Sequence, residues 1–140
     1  MWGPSRVLRH EVNCNFSTYI RHTTRDGADK LSRDLTCASE LSPFIFVGLD
    51  SNGHYPLWGP MGSKVDKIGE MVEGMLCGWG LLVLNSQCSP PTFCSDKGQQ
   101  TWIDVSAASP ALVPSVSEWA VWDHVEALSD HRLIVTQMLT

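Results

Sequence analysis

The chain has 140 residues, a length that builds one domain with a hydrophobic core but not two. Its composition, with 43% hydrophobic and 18% charged residues, is that of an ordinary globular protein and excludes a disordered chain. The net charge of −5 argues against a protein that holds long DNA by charge alone, because backbone affinity comes largely from Lys and Arg.

Signals of cellular compartment point to the cell interior. No apolar run reaches the length of a membrane-spanning helix, and the first residues lack the apolar segment of a secretory signal. The five cysteines are scattered and form no Cys-x-x-Cys pair, which disfavours a zinc ribbon and favours reduced thiols. We therefore expect an intracellular protein, nuclear or cytoplasmic.

The first third of the chain carries patterns for a strand and a helix. Alternating apolar residues over Val12–Ile20 predict a strand that ends near Tyr19. Apolar residues at helical spacing predict a helix over Gly27–Glu40, which Ser42-Pro43 ends. The apolar stripe of this helix consists of Ala28, Leu31, Leu35, Ala38 and Leu41.

Buried strands and a second helix are predicted in the rest of the chain. Phe44–Val47 is a continuous apolar run, as expected for a strand covered on both faces. Ser63-Lys64-Val65-Asp66 resembles a capping box and predicts a helix with an apolar stripe over Val65–Trp79, with Gly78 and Gly80 as alternative C-terminal cap positions. Further strands are predicted at residues 81–84, 101–107, 113–122 and 132–139. This mixture predicts an α/β or α+β fold.

Asp50-Ser51-Asn52 follows a predicted buried strand, and loops at strand ends are where layered α/β folds place their sites. A carboxylate and an amide two residues apart can point at one ligand. The carboxylate can bind a metal or accept a proton from water, and the amide can orient that water or bond a phosphate oxygen. Because Asp-x-Asn before a glycine is also a common turn, the motif alone leaves both interpretations open.

Two further polar features lie near strands. Ser129-Asp130-His131 directly precedes an apolar strand, and Asp104 lies inside one. A buried carboxylate needs a partner, and histidine is a natural one because Asp–His pairing fixes the imidazole tautomer. Alternatively, Asp130 forms a local pair with Arg132 and Asp104 faces solvent at a strand end.

Taken in order, these motifs resemble a known superfamily. The succession of Asp50-Ser51-Asn52, Pro91-Thr92-Phe93, Trp102-Ile103-Asp104 and Ser129-Asp130-His131 resembles the endonuclease/exonuclease/phosphatase superfamily. The stretch Gly48–Gly59, reinforced by Leu84-Asn85, is similar to the endonuclease domain of non-LTR (LINE-type) retrotransposons, particularly R1-like elements. The resemblance covers roughly residues 16–139 and is strongest over 44–135.

The resemblance implies a fold, an activity and residue roles. The implied fold is a partial four-layer sandwich of two mixed β-sheets flanked by helices. The implied activity is hydrolysis of a DNA phosphodiester with Mg²⁺ or Mn²⁺, leaving a 3′-hydroxyl that a fused reverse transcriptase domain extends. The implied catalytic residues are Tyr19, Asp50, Asn52, Asp104 and His131, with Asp50, Asn52 and Asp130 as candidate metal ligands and Thr92 and Ser129 as substrate-binding residues.

The sequence also departs from the family pattern. Gly53 replaces the usual alanine after the asparagine and is expected to loosen the loop. The family domain is longer at its N-terminus, where it supplies an asparagine and a metal-binding glutamate, and Glu11 does not stand in a matching context. We therefore expect residues 1–140 to form a single, N-terminally truncated domain that is marginally stable and weakly active or inactive.

Three functions are compatible with these observations. The first is a DNA endonuclease domain of a mobile element. The second is a catalytically dead fold that only binds DNA or a partner. The third is another enzyme of the superfamily, such as a phosphatase or deadenylase, although the stretch His54–Gly59 is not expected there.

Overall fold

The computed structural model describes residues 8–9, 24–126 and 128–139, with side chains from residue 29 onward in these ranges. The predicted strand that ends near Tyr19 lies outside them. In chain order the elements are β1 (Leu8–Arg9), α1 (Thr24–Leu41), β2 (Phe46–Asp50), α2 (Lys67–Gly78), β3 (Leu82–Val83), β4 (Phe93–Cys94), β5 (Gln100–Thr101), β6 (Asp104–Ala108), a 3₁₀ turn (Val113–Ser115), β7 (Val116–Trp122) and β8 (Leu133–Met138).

Helix α1 forms where the apolar spacing predicts it. Leu31, Leu35 and Ala38 are buried one turn apart, so the predicted stripe faces the core. Leu41 was expected in that stripe but is 79% exposed. Leu41 is the last residue of the helix. The N–H of Ser42 donates to the carbonyl of Ala38, and the chain then turns away from the core.

Helix α2 begins later than the predicted capping box. Asp66 is the N-cap, and its carboxylate accepts the N–H of Gly69, whereas the hydroxyl of Ser63 donates to the carbonyl of Pro60. The prediction that Ser63 opens the helix is therefore wrong, because a closer acidic cap was available. Gly80, at φ +69°, ends the helix in the left-handed conformation, as predicted.

Two sheets and a short two-stranded ribbon make up the strand structure. Strand β6 lies between β2 and β3 and is antiparallel to both. Strand β8 lies between β1, which is parallel to it, and β7, which is antiparallel. Strands β4 and β5 pair with each other, and Phe93 of β4 also forms an isolated antiparallel bridge with His131.

Strand boundaries differ from the predicted ones in a way that affects the site. Strand β2 runs over Phe46–Asp50 rather than Phe44–Val47, so Asp50 is the last residue of the strand instead of the first residue of the loop. The predicted buried strand 81–84 is a two-residue edge strand in which Leu82 is 49% exposed.

The layers are held by two hydrophobic clusters on opposite faces of the β2-β6-β3 sheet. One face packs against both helices, through residues such as Leu35, Val72 and Val47. The other face packs towards β8, with Phe46 of β2 and Met138 of β8 in the same cluster. Helices, one sheet and a second sheet therefore stack in that order, which confirms the predicted α/β class. No helix in the described ranges is both long and apolar enough to cross a membrane.

Candidate active site

Asp50 and Asp104 lie opposite each other at the ends of β2 and β6. The main-chain N–H and carbonyl of Asp104 both bond side chains on the far side of β6, namely Thr92 and Asn85. The two aspartates therefore form a pair without main-chain hydrogen bonds between them, the arrangement that brings opposed side chains closest, with Cα atoms about 4.5 Å apart. Both carboxylates consequently lie on one face at the end of the sheet.

His131 joins this pair from the segment before β8. Its Nδ1 lies 2.9 Å from Oδ2 and 3.1 Å from Oδ1 of Asp104, and its Nε2 lies 3.6 Å from Oδ2 of Asp50. The three side chains are 14% to 26% exposed, so the group is shielded but reachable. The tautomer with its proton on Nδ1 donates to Asp104 and directs Nε2 towards Asp50.

The segment Pro91–Cys94 holds His131 in place. Phe93 and His131 pair as an antiparallel bridge, and their rings meet edge to face with centroids 5.1 Å apart. The carbonyl of Thr92 accepts the N–H of Arg132 at 2.7 Å, and the N–H of Cys94 donates to the carbonyl of Asp130 at 2.8 Å. The histidine is thus fixed by its backbone neighbours on both sides as well as by Asp104.

The loop after Asp50 is rigidly built. Ser51 is fully buried, and its hydroxyl donates to the carbonyl of Ile103 at 2.7 Å while accepting the N–H of Gly53 at 3.0 Å. The carbonyl of Gly53 accepts the indole N–H of Trp58, which is fully buried beneath the loop. Asn52, between these anchors, is exposed with φ +52°, a left-handed conformation that asparagine tolerates better than most residues.

Gly53 fits the loop tightly against α2, contrary to the expectation that it loosens the loop. A Cβ at Gly53 would lie 2.7 Å from the main-chain nitrogen of Gly69 and 2.9 Å from Cγ2 of Ile68. A Cβ at Gly69 would in turn collide with the carbonyl of His54. The two glycines therefore allow the loop and the N-terminus of α2 to approach more closely than side chains permit.

A hydrogen bond between His54 and Asp66 strengthens this contact. Nδ1 of His54 lies 2.7 Å from Oδ2 of Asp66, whose other oxygen accepts the N–H of both His54 and Gly69. Burial alone would raise the pKa of Asp66, but these hydrogen bonds and the nearby histidine outweigh it and hold the pKa below its ordinary value. The cap of α2 and the loop that carries Asn52 are thus stabilised by one carboxylate.

A family model matches most of the chain, including the segments that form the site. The family described as endonuclease-reverse transcriptase matches residues 14–135. The chain belongs to this family. No curated protein matches the chain significantly.

Among solved structures, the family fold is matched by the endonuclease domain of TRAS1, a telomere-specific non-LTR retrotransposon. The TM-score is 0.66 at 24% sequence identity, over 81% of this chain and 49% of that one. This similarity confirms the predicted fold. The chain spans about half the length of the TRAS1 domain.

Of the site residues predicted from the resemblance, the structure brings Asp50, Asp104 and His131 into one group, whose candidate ligand atoms all lie within 4.8 Å of one another. Asn52 lies two residues after Asp50 on the rigid loop. Tyr19 lies outside the described residues.

The other predicted residues lie differently. Thr92 is fully buried and its hydroxyl accepts the main-chain N–H groups of Ile103 and Asp104, so its side chain is engaged by the protein, and its contact with a phosphate stays a prediction. The hydroxyl of Ser129 accepts the N–H of His131 at 3.1 Å and shapes the turn locally. Asp130 is exposed and lies outside the group formed by Asp50, Asp104 and His131.

Asn85 has a role at the site that sequence reasoning did not assign. Its Oδ1 accepts the N–H of Ser106 and its Nδ2 donates to the carbonyl of Asp104, at 2.8 and 2.9 Å. It continues the pairing of β6 where β3 has ended. The only sequence signal was its place in Leu84-Asn85, which marked the resemblance without indicating a contact.

The donor set at this site fits a divalent cation held by few protein ligands. Both oxygens of Asp104 lie within 3.1 Å of Nδ1 of His131, whereas Oδ2 of Asp50 lies 3.6 Å from Nε2, so Asp50 is the better placed carboxylate to hold a cation. Mg²⁺ is commonly bound through one or two carboxylates, with water and phosphate oxygens as the other ligands. The described residues suit that mode rather than a complete protein cage.

Proposed function

We propose that the chain is a metal-dependent phosphodiesterase domain that nicks DNA for a non-LTR retrotransposon. The observation that carries this proposal is the contact of Asp104 with His131, with Nε2 of that histidine directed at Asp50. An oriented imidazole beside a second carboxylate is an arrangement suited to proton transfer from water. Family membership favours DNA over the substrates of other superfamily enzymes.

The proposed mechanism assigns one step to each residue. Asp104 keeps the proton of His131 on Nδ1, so Nε2 faces Asp50. Asp50 and Nε2 of His131 orient the attacking water, and one of them accepts its proton as the P–O3′ bond breaks. The leaving 3′ oxygen takes a proton from solvent and becomes the 3′-hydroxyl. Asn52, on a loop that packing holds rigid, donates to the charged phosphate oxygen as the transition state forms. A bound Mg²⁺ or Mn²⁺ at Asp50 would supply a Lewis acid that neutralises charge on the phosphate.

The proposed product follows from the biology of such elements. Cleavage leaves a 3′-hydroxyl, and in the intact element a fused reverse transcriptase extends it. Residues 1–140 form one partial domain in this proposal, consistent with a match over 14–135 and with coverage of half of the TRAS1 domain.

Plasmid nicking tests the proposal. We expect the chain to convert supercoiled plasmid to the open circle slowly with Mg²⁺, as expected for a partial domain, and not with EDTA. Asp50→Ala and His131→Ala should each lower the rate by at least about 100-fold, because residues that act as a unit fail together. Asp96→Ala and His124→Ala, which replace exposed residues of the same types, serve as matched controls. Undiminished nicking by Asp50→Ala would contradict the assignment.

A second candidate function, DNA binding without cleavage, is favoured by the small number of metal-binding donors among the described residues. Of the three predicted metal ligands, Asp130 lies outside the group, and Asn52 is exposed on the loop. A site this poor in carboxylates binds Mg²⁺ weakly unless other ligands complete it. Equal DNA affinity of the wild-type chain and Asp50→Asn in a gel-shift assay, with no nicking by either at high Mn²⁺, would favour this candidate.

A further inference from the structure

On the side of β6 that faces away from β2, the main chain near Asp104 forms hydrogen bonds with side chains and not with a neighbouring strand. Strand β3 pairs only with Ala107 and Ala108, and beyond it the N–H groups of Ile103 and Asp104 point to the same side of β6 with no strand to accept them. The hydroxyl of Thr92 accepts both, at 3.0 and 3.1 Å. A hydroxyl oxygen has two acceptor lone pairs, and here both are used on neighbouring residues.

Thr92 is also bonded to the other half of the Asp104–His131 pair. Its carbonyl accepts the N–H of Arg132 at 2.7 Å, and the next residue, Phe93, bridges and contacts His131. Asp104 and His131 are 27 residues apart in sequence. Thr92 therefore holds Asp104 with its side chain and the histidine segment with its main chain, and its own position sets the separation between them.

We propose that Thr92 is a positioning residue that sets the Asp104–His131 hydrogen bond and thereby the tautomer of His131. The proposal deepens the nuclease function above and rests on it for its kinetic part. Thr92 is fully buried, so it acts through Asp104 and His131 and not on the substrate. Asn85 differs in this respect, because its side chain bonds only β6.

Valine and serine substitutions separate the hydroxyl from the shape of the side chain. Thr92→Val keeps the branched shape and removes the acceptor, and Thr92→Ser keeps the acceptor. Thr136→Val is the matched control: Thr136 is also fully buried, and its hydroxyl has no hydrogen-bond partner in the part of the chain that the structure describes.

The first measurement is the ¹⁵N spectrum of the His131 imidazole, assigned with His131→Gln, and it does not depend on nuclease activity. We expect the wild-type chain, Thr92→Ser and Thr136→Val to show a dominant Nδ1–H tautomer, and Thr92→Val to show a mixture of both tautomers. An unchanged tautomer in folded Thr92→Val would overturn the proposal, whether or not the chain nicks DNA.

The second measurement is kinetic. Thr92→Val should lower the kcat of nicking by about 10- to 100-fold, the usual effect of losing a residue that orients a ligand or base, with KM unchanged. Thr92→Ser should restore most of the rate. A loss of rate with equal loss in Thr136→Val would indicate a packing effect only and would contradict the proposal.

Hydrogen exchange in the wild-type chain gives the answer if Thr92→Val does not fold. The amide protons of Ile103 and Asp104 should exchange far more slowly than those of the exposed turn Asp96–Gln99. Exchange at both amides as fast as in that turn would show that the Thr92 hydroxyl does not hold them.

Discussion

Asp104 is held from three directions by residues of three separate segments. His131 bonds its carboxylate, Thr92 its N–H and Asn85 its carbonyl. The main chain at Asp104 is therefore fixed by two side chains, and its carboxylate is held by the histidine. A side chain restrained in this way is suited to orient a base, since its geometry is set before the substrate arrives.

The absence of a Cβ at Gly53 allows the site loop to pack against the N-terminus of α2. Gly53→Ala should lower the free energy of unfolding by about 1–3 kcal/mol, because the added methyl group overlaps the main chain of Gly69. Gly74→Ala is the matched control: the space around Gly74 is open, so alanine should stabilise α2 by about 0.5–1 kcal/mol. Urea unfolding of both variants measures the difference, and a Gly53→Ala chain as stable as the wild type would contradict the close packing.

Helix α2 supports the site loop through its N-terminus. The N-terminus of α2 receives the loop that carries Asn52, and Asp66 stabilises both. At the other end the N–H groups of Gly80 and Leu81 bond the carbonyls of Cys77 and Leu76, which closes the helix before β3.

Asp66 should make the stability of α2 depend on pH. Its pKa is lower in the folded chain than in the unfolded chain, so its charged form stabilises the fold above the ordinary aspartate value of about 3.9. That contribution is lost as the pH falls through the folded pKa. We expect the wild-type chain to exceed Asp66→Asn in unfolding free energy at pH 7, and the difference to shrink below about pH 4.

Asp66→Ala completes this test, because it removes the cap as well as the charge. It should cost about 1 kcal/mol at pH 7, the usual value of an N-cap side chain. Asp96→Ala, in an exposed turn, is the control and should change little. A difference between the wild-type chain and Asp66→Asn that is constant from pH 7 to pH 3 would show that the charge of Asp66 contributes nothing.

The molecule as a whole is organised around the β2-β6-β3 sheet, which is covered by helices on one face and by the second sheet on the other. The site lies at the end of this central sheet, where β2 and β6 finish and the segment before β8 crosses over. Movement of the second sheet against the first would therefore shift His131 relative to Asp50 and Asp104.

A double-mutant cycle tests the packing between the two sheets. Phe46 and Met138 lie in one cluster. The loss of unfolding free energy in the double variant Phe46→Leu/Met138→Ala should therefore differ from the sum of the two single losses by about 0.5 kcal/mol or more. Val72→Ala with Met138→Ala is the control pair, because these residues lie in different clusters and should add within about 0.5 kcal/mol. Strict additivity of the first pair, measured by urea unfolding, would contradict the sandwich.

Prediction from sequence worked best where the signal is local. The helix near Leu31 and Leu35 and the α/β class follow from hydrophobic spacing, which depends on residues a few positions apart. Boundaries were less accurate, because Asp66 and Ser63 are both good caps and only packing against the Gly53 loop selects between them. The burial of Thr92 was not predictable for a similar reason, since a hydroxyl looks the same in sequence whether it faces solvent or the main chain at Asp104.

The sequence by itself determined the family and the chemically capable residues, because Asp50-Ser51-Asn52 and Ser129-Asp130-His131 are short motifs that can be recognised without a fold. Only the tertiary structure decided which of them meet. Asp50, Asp104 and His131 come together because β2 and β6 pair in one register and Pro91–Cys94 fastens the histidine segment to their ends. Contacts between such distant segments depend on packing, which no local pattern encodes.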